Sequence, residues 1–469
     1  MELSVVFHTL GCKLNQLETE SLADAFRKGG AAILRGPGGE GADIVVVNTC
    51  TVTGKAEQKA RHLVRLALSR NQGAVAIVTG CYAQVEPEAL AALHERAVVV
   101  PGDEKSRLLG LAAFLSEEWQ GHGDLLDAIL QWKRSGEASD DGSRLAADPF
   151  AFRPEEFAFH SRPSLKIEDG CDNRCSYCRV CIARGPARSL GAKEVLTRLR
   201  ALEAAGKSEV VLAGVNLFQY RDEGLRLPGL LRFLIEGTET IAIRLSSYEP
   251  EGVDADFLEV FTHPRVRPHV HLPVQSGSDA VLRRMARAYR REKVIAACET
   301  LRRVKGDLFI AADLITGFPG ESEADFADTL DLARRCDFAW IHAFPFSARP
   351  GTAAWDMGPK VPERVAGERV RALGELARAG RQAYIGRQAG LEVDAVLEGS
   401  RPIASDGKGH ATSANYLKLL VEGLPAGLSG GAAIRCRLEA DPGSSQNGES
   451  GEGHEIVDIK AIYINRFAH

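Results

Sequence analysis

Short apolar runs alternate with amphipathic stretches over the first hundred residues. The runs SVVFHTL, DIVVVNT, AVAIVTG and AVVVP predict strands, and helical periodicity follows near 16–28, 55–70 and 87–94. Strands alternating with helices predict a parallel sheet covered on both faces. Residues 117–162 are weakly patterned, and SGEASDDGSRLAADP reads as a polar linker. These features divide the first part into an α/β domain over 1–130 and a linker over 131–160.

A second series begins at 164. Candidate strands are SLKIEDG, EVVLAGVN, AIRLSS, HVHLPV, LFIAADLITG and FAWIHAFPFS, with helical patterns near 193–205, 228–236, 279–288, 291–304 and 323–335. Six such units are too few for a closed eightfold barrel. Residues 161–383 therefore predict a partial (β/α)6 barrel that ends in one long helix, PERVAGERVRALGELARAGRQAYIG. Over 384–469 the helical period is lost. EVDAVLEG, YLKLLVEG, AAIRCRLEA and EIVDIKAIYI predict a small antiparallel β-barrel with SSQNGESGEG as a loop. The fold class is α/β, with a β module at the end.

Composition narrows the chemistry. The 469 residues carry 58 Lys and Arg against 63 Asp and Glu, a net charge of −5. That excludes a protein basic all over, so nucleic acid must be met by local patches. No apolar run approaches ~18 residues, which predicts no membrane span. The start, MELSVVFHTLGC, does not read as a signal peptide. A cytoplasmic location is expected, where ten cysteines point to metal or redox chemistry rather than disulfides.

The sharpest motif is GCDNRCSYC. It sets Cys171, Cys175 and Cys178 in a C-x3-C-x2-C loop after a predicted strand. Three thiolates on a short loop can hold three irons of a four-iron cluster and leave the fourth open. Cys181 extends the run to four thiols, which also suits tetrahedral zinc. Zinc knuckles usually separate two cysteine pairs by a longer loop, which favours the iron cluster. Three further cysteines, Cys12, Cys50 and Cys81, each follow an apolar run. Carboxyl ends of parallel strands converge on one crevice, so a second cluster is expected there. The simpler alternative is three buried cysteines acting as small hydrophobes.

The loop, with Tyr177 before its last cysteine, resembles the radical S-adenosylmethionine (SAM) enzymes. In that family the open iron is chelated by the amino and carboxylate groups of SAM, and an electron from the cluster cleaves the sulfonium to a 5′-deoxyadenosyl radical. TLGCKLNQLETE, VVNTCTVTGKAE and TGCYAQVEPE are similar to the methylthiotransferase branch. So are ARGPARS, SSYEP, HLPVQSGSDAVLRRM, DLITGFPGESEADF and HAFPFSARPGTAAW, and the terminal module is similar to that family's TRAM domain. GCKLNQ, NTCTVT and GCYAQ look most like the subfamily that modifies N6-threonylcarbamoyladenosine in tRNA.

The resemblance implies two [4Fe–4S] clusters, SAM as cofactor, tRNA as substrate and a flavodoxin- or ferredoxin-like electron donor. The Cys171 trio would generate the radical that takes hydrogen from adenine C2, and the Cys12 trio would hold the sulfur. Carried-over SAM contacts are Tyr177, Gly214, Asn216, Ser247, Glu249, Gln275 and Gly317. The alternatives are the same reaction on isopentenyladenosine or a ribosomal-protein aspartate, and a non-catalytic metal-cluster RNA-binding protein. Two departures stand out: RVCIARG after Cys178, and Phe218 where a glycine is usual.

RNA contacts are expected from Lys55 and Lys59 at helical spacing past Cys50, from Arg184 and Arg188, and from the run VLRRMARAYRRE. The terminal module has eight basic against eleven acidic residues, unlike a basic RNA-binding barrel. Cys298, Cys336 and Cys436 lack partner spacing and read as core or surface thiols.

Overall fold

The computed structural model describes residues 3–34, 36, 40–136, 148–399, 403–439 and 457–466. The chain forms two compact units. The first comprises Met1–Ala158, Asp169–Arg188 and Ser347–Trp355; the second comprises Phe159–Glu168, Ser189–Phe346 and Asp356–His469.

The first unit is built on a five-stranded sheet of β1 (Ser4–Thr9), β2 (Ala32–Leu34), β3 (Ile44–Thr49), β4 (Val75–Gly80) and β5 (Ala97–Val99). Its order is β2-β1-β3-β4-β5, and all pairings are parallel. β3 and β4 are buried along their whole length, as near-continuous Val and Ile runs require in a sheet covered on both faces. Successive residues feed opposite cores. Val5, Ile44, Val46 and Ile77 pack with Phe26 and Trp132, while Val6, Val45, Val47 and Val78 pack with Val64, Leu68 and Leu90.

Crossovers run through helices Lys13–Lys28 and Gly54–Arg70. Thr53 starts the second by accepting the Ala56 N–H at 3.1 Å. Helix Leu125–Ser135 lies in the weakly patterned stretch; Asp124 caps it, and Ile129 and Trp132 bury its one apolar face. Most of the polar stretch at 135–149 lies outside the described residues, as does SSQNGESGEG.

In the second unit, Ser164–Lys166, Glu209–Ala213 and Ala242–Leu245 form one parallel sheet. His269–Gln275, Phe309–Thr316 and Trp340–Pro345 form another. The two meet through a bridge between Ser247 and His271 and a Tyr248 N–H donated to the His271 carbonyl at 2.9 Å. Six parallel strands in chain order, with helices between them, make an open partial barrel.

Helix Glu363–Gln388 leads to a closed barrel of five strands, Glu392–Leu397, Gly409–Ser413, Lys418–Glu422, Ala433–Leu438 and Ile459–Arg466. The barrel departs from the expected antiparallel module in one pairing, since Lys418–Glu422 and Ile459–Arg466 run parallel. The strand Gly409–Ser413 escaped the sequence pattern because GHATS has no apolar alternation. Among the described residues no helix is long and apolar enough to cross a membrane.

Candidate functional site

The parallel register brings Thr9, Asn48 and Thr79 to the same end of adjacent strands. Cys12, Cys50 and Cys81 follow at that end. Two glycines let the chain close there. Gly11 has φ +102°, and a Cβ on it would fall 2.9 Å from Cys50 Sγ. Gly80 has φ +100°, and a Cβ would meet the Thr49 carbonyl at 2.4 Å. Only glycine takes this backbone without strain, so each turn presses its following cysteine toward the Cys50 strand. Asn15 Nδ2 ties the ends together by donating to the carbonyls of Leu10 at 2.7 Å and Thr49 at 3.0 Å. Burial pushes the Cys50 thiol up to about 12, with Cys81 and Cys12 adding in the same direction.

The loop bearing Cys171, Cys175 and Cys178 belongs to the same compact unit. Within the loop the Cys171 N–H donates to Gly185 O at 3.1 Å and the Cys178 N–H to Cys175 O at 3.1 Å, while the Ser176 carbonyl accepts the distant Ala354 N–H at 2.7 Å. Burial, then Cys175, Cys181 and Cys171, push the Cys178 thiol up to about 12. Neutral thiols at such depth ionise when a cation replaces their protons. Two buried arginines connect this loop to the first trio. Arg184 donates to Asp169 at 2.9 Å, to Glu18 at 3.0 Å and to Asn15 Oδ1 at 2.8 Å, with its side chain 8 % exposed. Arg179, beside Cys178, reaches Glu86 at 3.0 Å and Glu57 at 3.3 Å. Glu57 in turn accepts from Thr51 at 2.6 Å and pairs with Arg349.

The donor sets fit clusters better than single ions. Tetrahedral zinc draws its thiolates to about 3.8 Å from one another, given bonds of about 2.3 Å. Among the described residues no three thiol sulfurs lie within 4.8 Å of one another. Cys181 Sγ instead sits 3.8 Å from the Cys178 carbonyl, as a donating thiol would. All-thiolate trios with one corner unfilled suit [4Fe–4S] clusters.

The remaining expected residues divide. Asn216 accepts the Phe218 N–H at 3.2 Å, and its Nδ2 is buried without a hydrogen-bond partner, a donor available to a ligand. Gln275 holds φ +68° at a bulge that ends its strand. Ser247 is half-buried at the sheet junction. Tyr177 is half-buried in the first unit.

Glu249 is engaged by Arg287, with burial raising its carboxyl. Gly214 is explained by packing, since a Cβ would lie 2.6 Å from Glu168 Oε2 and 2.8 Å from Leu217 Cδ2. Gly317 has φ +73°, and a Cβ would fall 2.5 Å from Ala366 Cβ, so its close approach is to the long helix. Phe218 packs edge-on against Tyr248 at 6.3 Å. Two orphan thiols turn out to be neighbours: Cys298 and Cys336 are buried and hydrogen-bonded.

The basic patches need correction. Lys55, Lys59 and Arg188 are exposed, but Arg184 is spent on the buried network above and offers no RNA contact. In VLRRMARAYRRE, Arg287 is held by Glu249, Arg291 by Asp331 and Asp328, and Arg284 by the Gly320 carbonyl. Sequence reasoning missed Arg179, Glu57, Glu18 and Arg349 as site residues. The signal available was a set of charges flanking the cysteines and strand ends.

Residues 4–102 match the model of the Uncharacterized protein family UPF0004, and residues 165–333 match the Radical SAM superfamily. A threonylcarbamoyladenosine tRNA methylthiotransferase MtaB of Treponema pallidum is 43 % identical, over 93 % of this chain and 98 % of its own length. The chain belongs to the tRNA methylthiotransferase family of radical SAM enzymes.

Another member, the MtaB of Aquifex aeolicus, is 34 % identical over 90 % of this chain and 97 % of its own. The radical SAM methyltransferase TsrM of Kitasatospora setae matches at a TM-score of 0.50 and 14 % identity, over 76 % of this chain and 77 % of its own, a likeness of fold alone. The cofactors of this family are SAM and [4Fe–4S] clusters.

Proposed function

We propose that the chain attaches a methylthio group to C2 of N6-threonylcarbamoyladenosine beside the tRNA anticodon. The observation that carries the reading is the pair of cysteine trios in one compact unit, linked through Arg184 and Arg179. When bound, the clusters and SAM supply the one-electron and sulfur-donating chemistry that an unreactive aromatic C–H demands.

The chain's own residues supply position and dryness. Cys171, Cys175 and Cys178 hold the radical-generating cluster, and Cys12, Cys50 and Cys81 the sulfur-bearing one. Arg184 fixes helix Lys13–Lys28 against the loop, and Arg179 fixes the turns after Cys50 and Cys81. Cys50 and Cys81 are buried, which shields that side of the first trio from water, while Cys12 stands exposed. Asn216, Ser247 and Gln275 contact SAM at strand ends of the second unit, the orphan Asn216 amide donating to it. Lys55, Lys59 and Arg188 meet tRNA phosphates. A small flavodoxin- or ferredoxin-like protein delivers electrons, and the reaction takes place in the cytoplasm.

A second reading has one observation in its favour. A tRNA-2-methylthio-N(6)-dimethylallyladenosine synthase of Anaplasma marginale is 31 % identical over 91 % of this chain. Nucleoside mass spectrometry of tRNA from a deletion strain separates the two. Loss of the 2-methylthio form of threonylcarbamoyladenosine supports the proposal. Loss of the methylthio isopentenyl form, or unchanged tRNA, contradicts it.

A further inference from the structure

One cluster of metal-ligating side chains stands apart from the cysteines. His271, Asp313 and His342 come from three neighbouring parallel strands of the second unit, His269–Gln275, Phe309–Thr316 and Trp340–Pro345. Register sets Asp313 opposite His342 and His271 opposite Ala311, two residues before Asp313. Side chains two apart on a strand share a face. All three project on one side of the sheet, and the methyl of Ala311 leaves the space beside His271 open. One ligand atom from each lies within 4.8 Å of the others.

The contact geometry is that of shared ligands rather than of a hydrogen bond. His271 Nε2 is 2.9 Å from Asp313 Oδ1, yet this buried nitrogen makes no hydrogen bond. Two ligand atoms that close and misaligned to each other are aimed at a common third point. Arg381, the cation stacked over Trp340, is paired with Asp458 at 2.8 Å. Trp340 Nε1 donates to His342 Nδ1 at 3.2 Å. Ligation through Nε2 requires the ring proton to move to Nδ1, so that indole contact breaks when an ion binds.

We propose that His271, Asp313 and His342 bind one divalent transition-metal ion of zinc type. Two imidazoles and a carboxylate are a borderline-hard set that suits such ions, and three protein ligands leave a fourth position for water or a ligand oxygen. Its ligands include none of the cysteines, so it adds a further metal to the enzyme.

The test loads holoenzyme bearing both iron–sulfur clusters with zinc sulfate, removes loose metal by gel filtration, and measures zinc and iron by plasma mass spectrometry. The expected result is about one zinc per chain in the parent. His342→Gln and Asp313→Asn should fall to background, with iron unchanged. X-ray absorption at the zinc edge should give a nitrogen and oxygen shell at about 2.0–2.2 Å without sulfur. Zinc retained equally by the variants, no zinc in the parent, or a sulfur shell at about 2.3 Å would each overturn the assignment. His342→Gln alters a solvent-exposed residue, so a misfolded chain does not obscure the readout.

Discussion

Arg184 and Glu18 lie 3.0 Å apart, both buried, and join the radical SAM loop to the first helix of the N-terminal sheet. Lys105 approaches the same carboxylate at 2.6 Å, and Asp169 holds the other side of the guanidinium. Removing one partner of a buried ion network leaves the others unpaired, at a cost of about 3–5 kcal/mol. Arg184→Ala should therefore lower the unfolding temperature and reduce iron retention at the Cys12 trio. Thermal unfolding read beside iron content checks this. A variant as stable and as iron-rich as the parent would contradict the linking role.

Gly80 is a backbone requirement as well as a spacer. Gly80→Ala places a Cβ against the Thr49 carbonyl at φ +100°. The strain costs about 1–3 kcal/mol before the clash is relieved. The expected outcome is selective loss of the N-terminal cluster, with iron falling toward about four per chain while SAM cleavage persists. Loss of both clusters together would indicate general misfolding.

The sequence made the N-terminal sheet legible because its strands are unbroken Val and Ile runs ending in the three cysteines. The six strands of the partial barrel were legible as short apolar runs alternating with helical patterns. Helix Leu125–Ser135 was obscured by the polar linker beside it, and Gly409–Ser413 by its small residues. The Cys171 loop was readable from its spacing, and Cys12, Cys50 and Cys81 from their places after apolar runs. Arg184 was misread as a phosphate contact because sequence shows charge but not burial: Glu18 and Asp169, distant in the chain, neutralise it. The packing of Gly214 against Leu217 and of Gly317 against Ala366 was not legible, since it is a tertiary fact.

Lys55 and Lys59 are exposed on the helix that follows Cys50. Replacing both by Glu should weaken tRNA binding and flatten its salt dependence by about one to two logarithmic units per decade of salt. Electrophoretic mobility shifts over a salt series measure this, with SAM cleavage in the absence of tRNA as the control. An unchanged salt slope would remove these lysines from the interface.

Glu209 tests the electrostatics of the second unit. Arg244, Arg267 and Arg162 surround it and hold its carboxyl down at about 2 against an unfavourable burial. A depressed carboxylate contributes stability above its unfolded value of 4.5, and that stability is lost as pH falls toward 2. Urea unfolding of the full chain should show stability dropping by about 1–3 kcal/mol between about pH 5 and about pH 3 on this account. Glu209→Gln should start less stable and show a shallower acid dependence. An identical slope in the two proteins would remove Glu209 from the acid response.

Iron and acid-labile sulfide analysis tests the central claim most directly. The parent chain should hold about eight of each per chain, two four-iron clusters. Replacing Cys12, Cys50 and Cys81 together should remove about half, and replacing Cys171, Cys175 and Cys178 should remove the other half and end SAM cleavage. Full iron retained after loss of either trio, or zinc without sulfide in the parent, would contradict the two-cluster account.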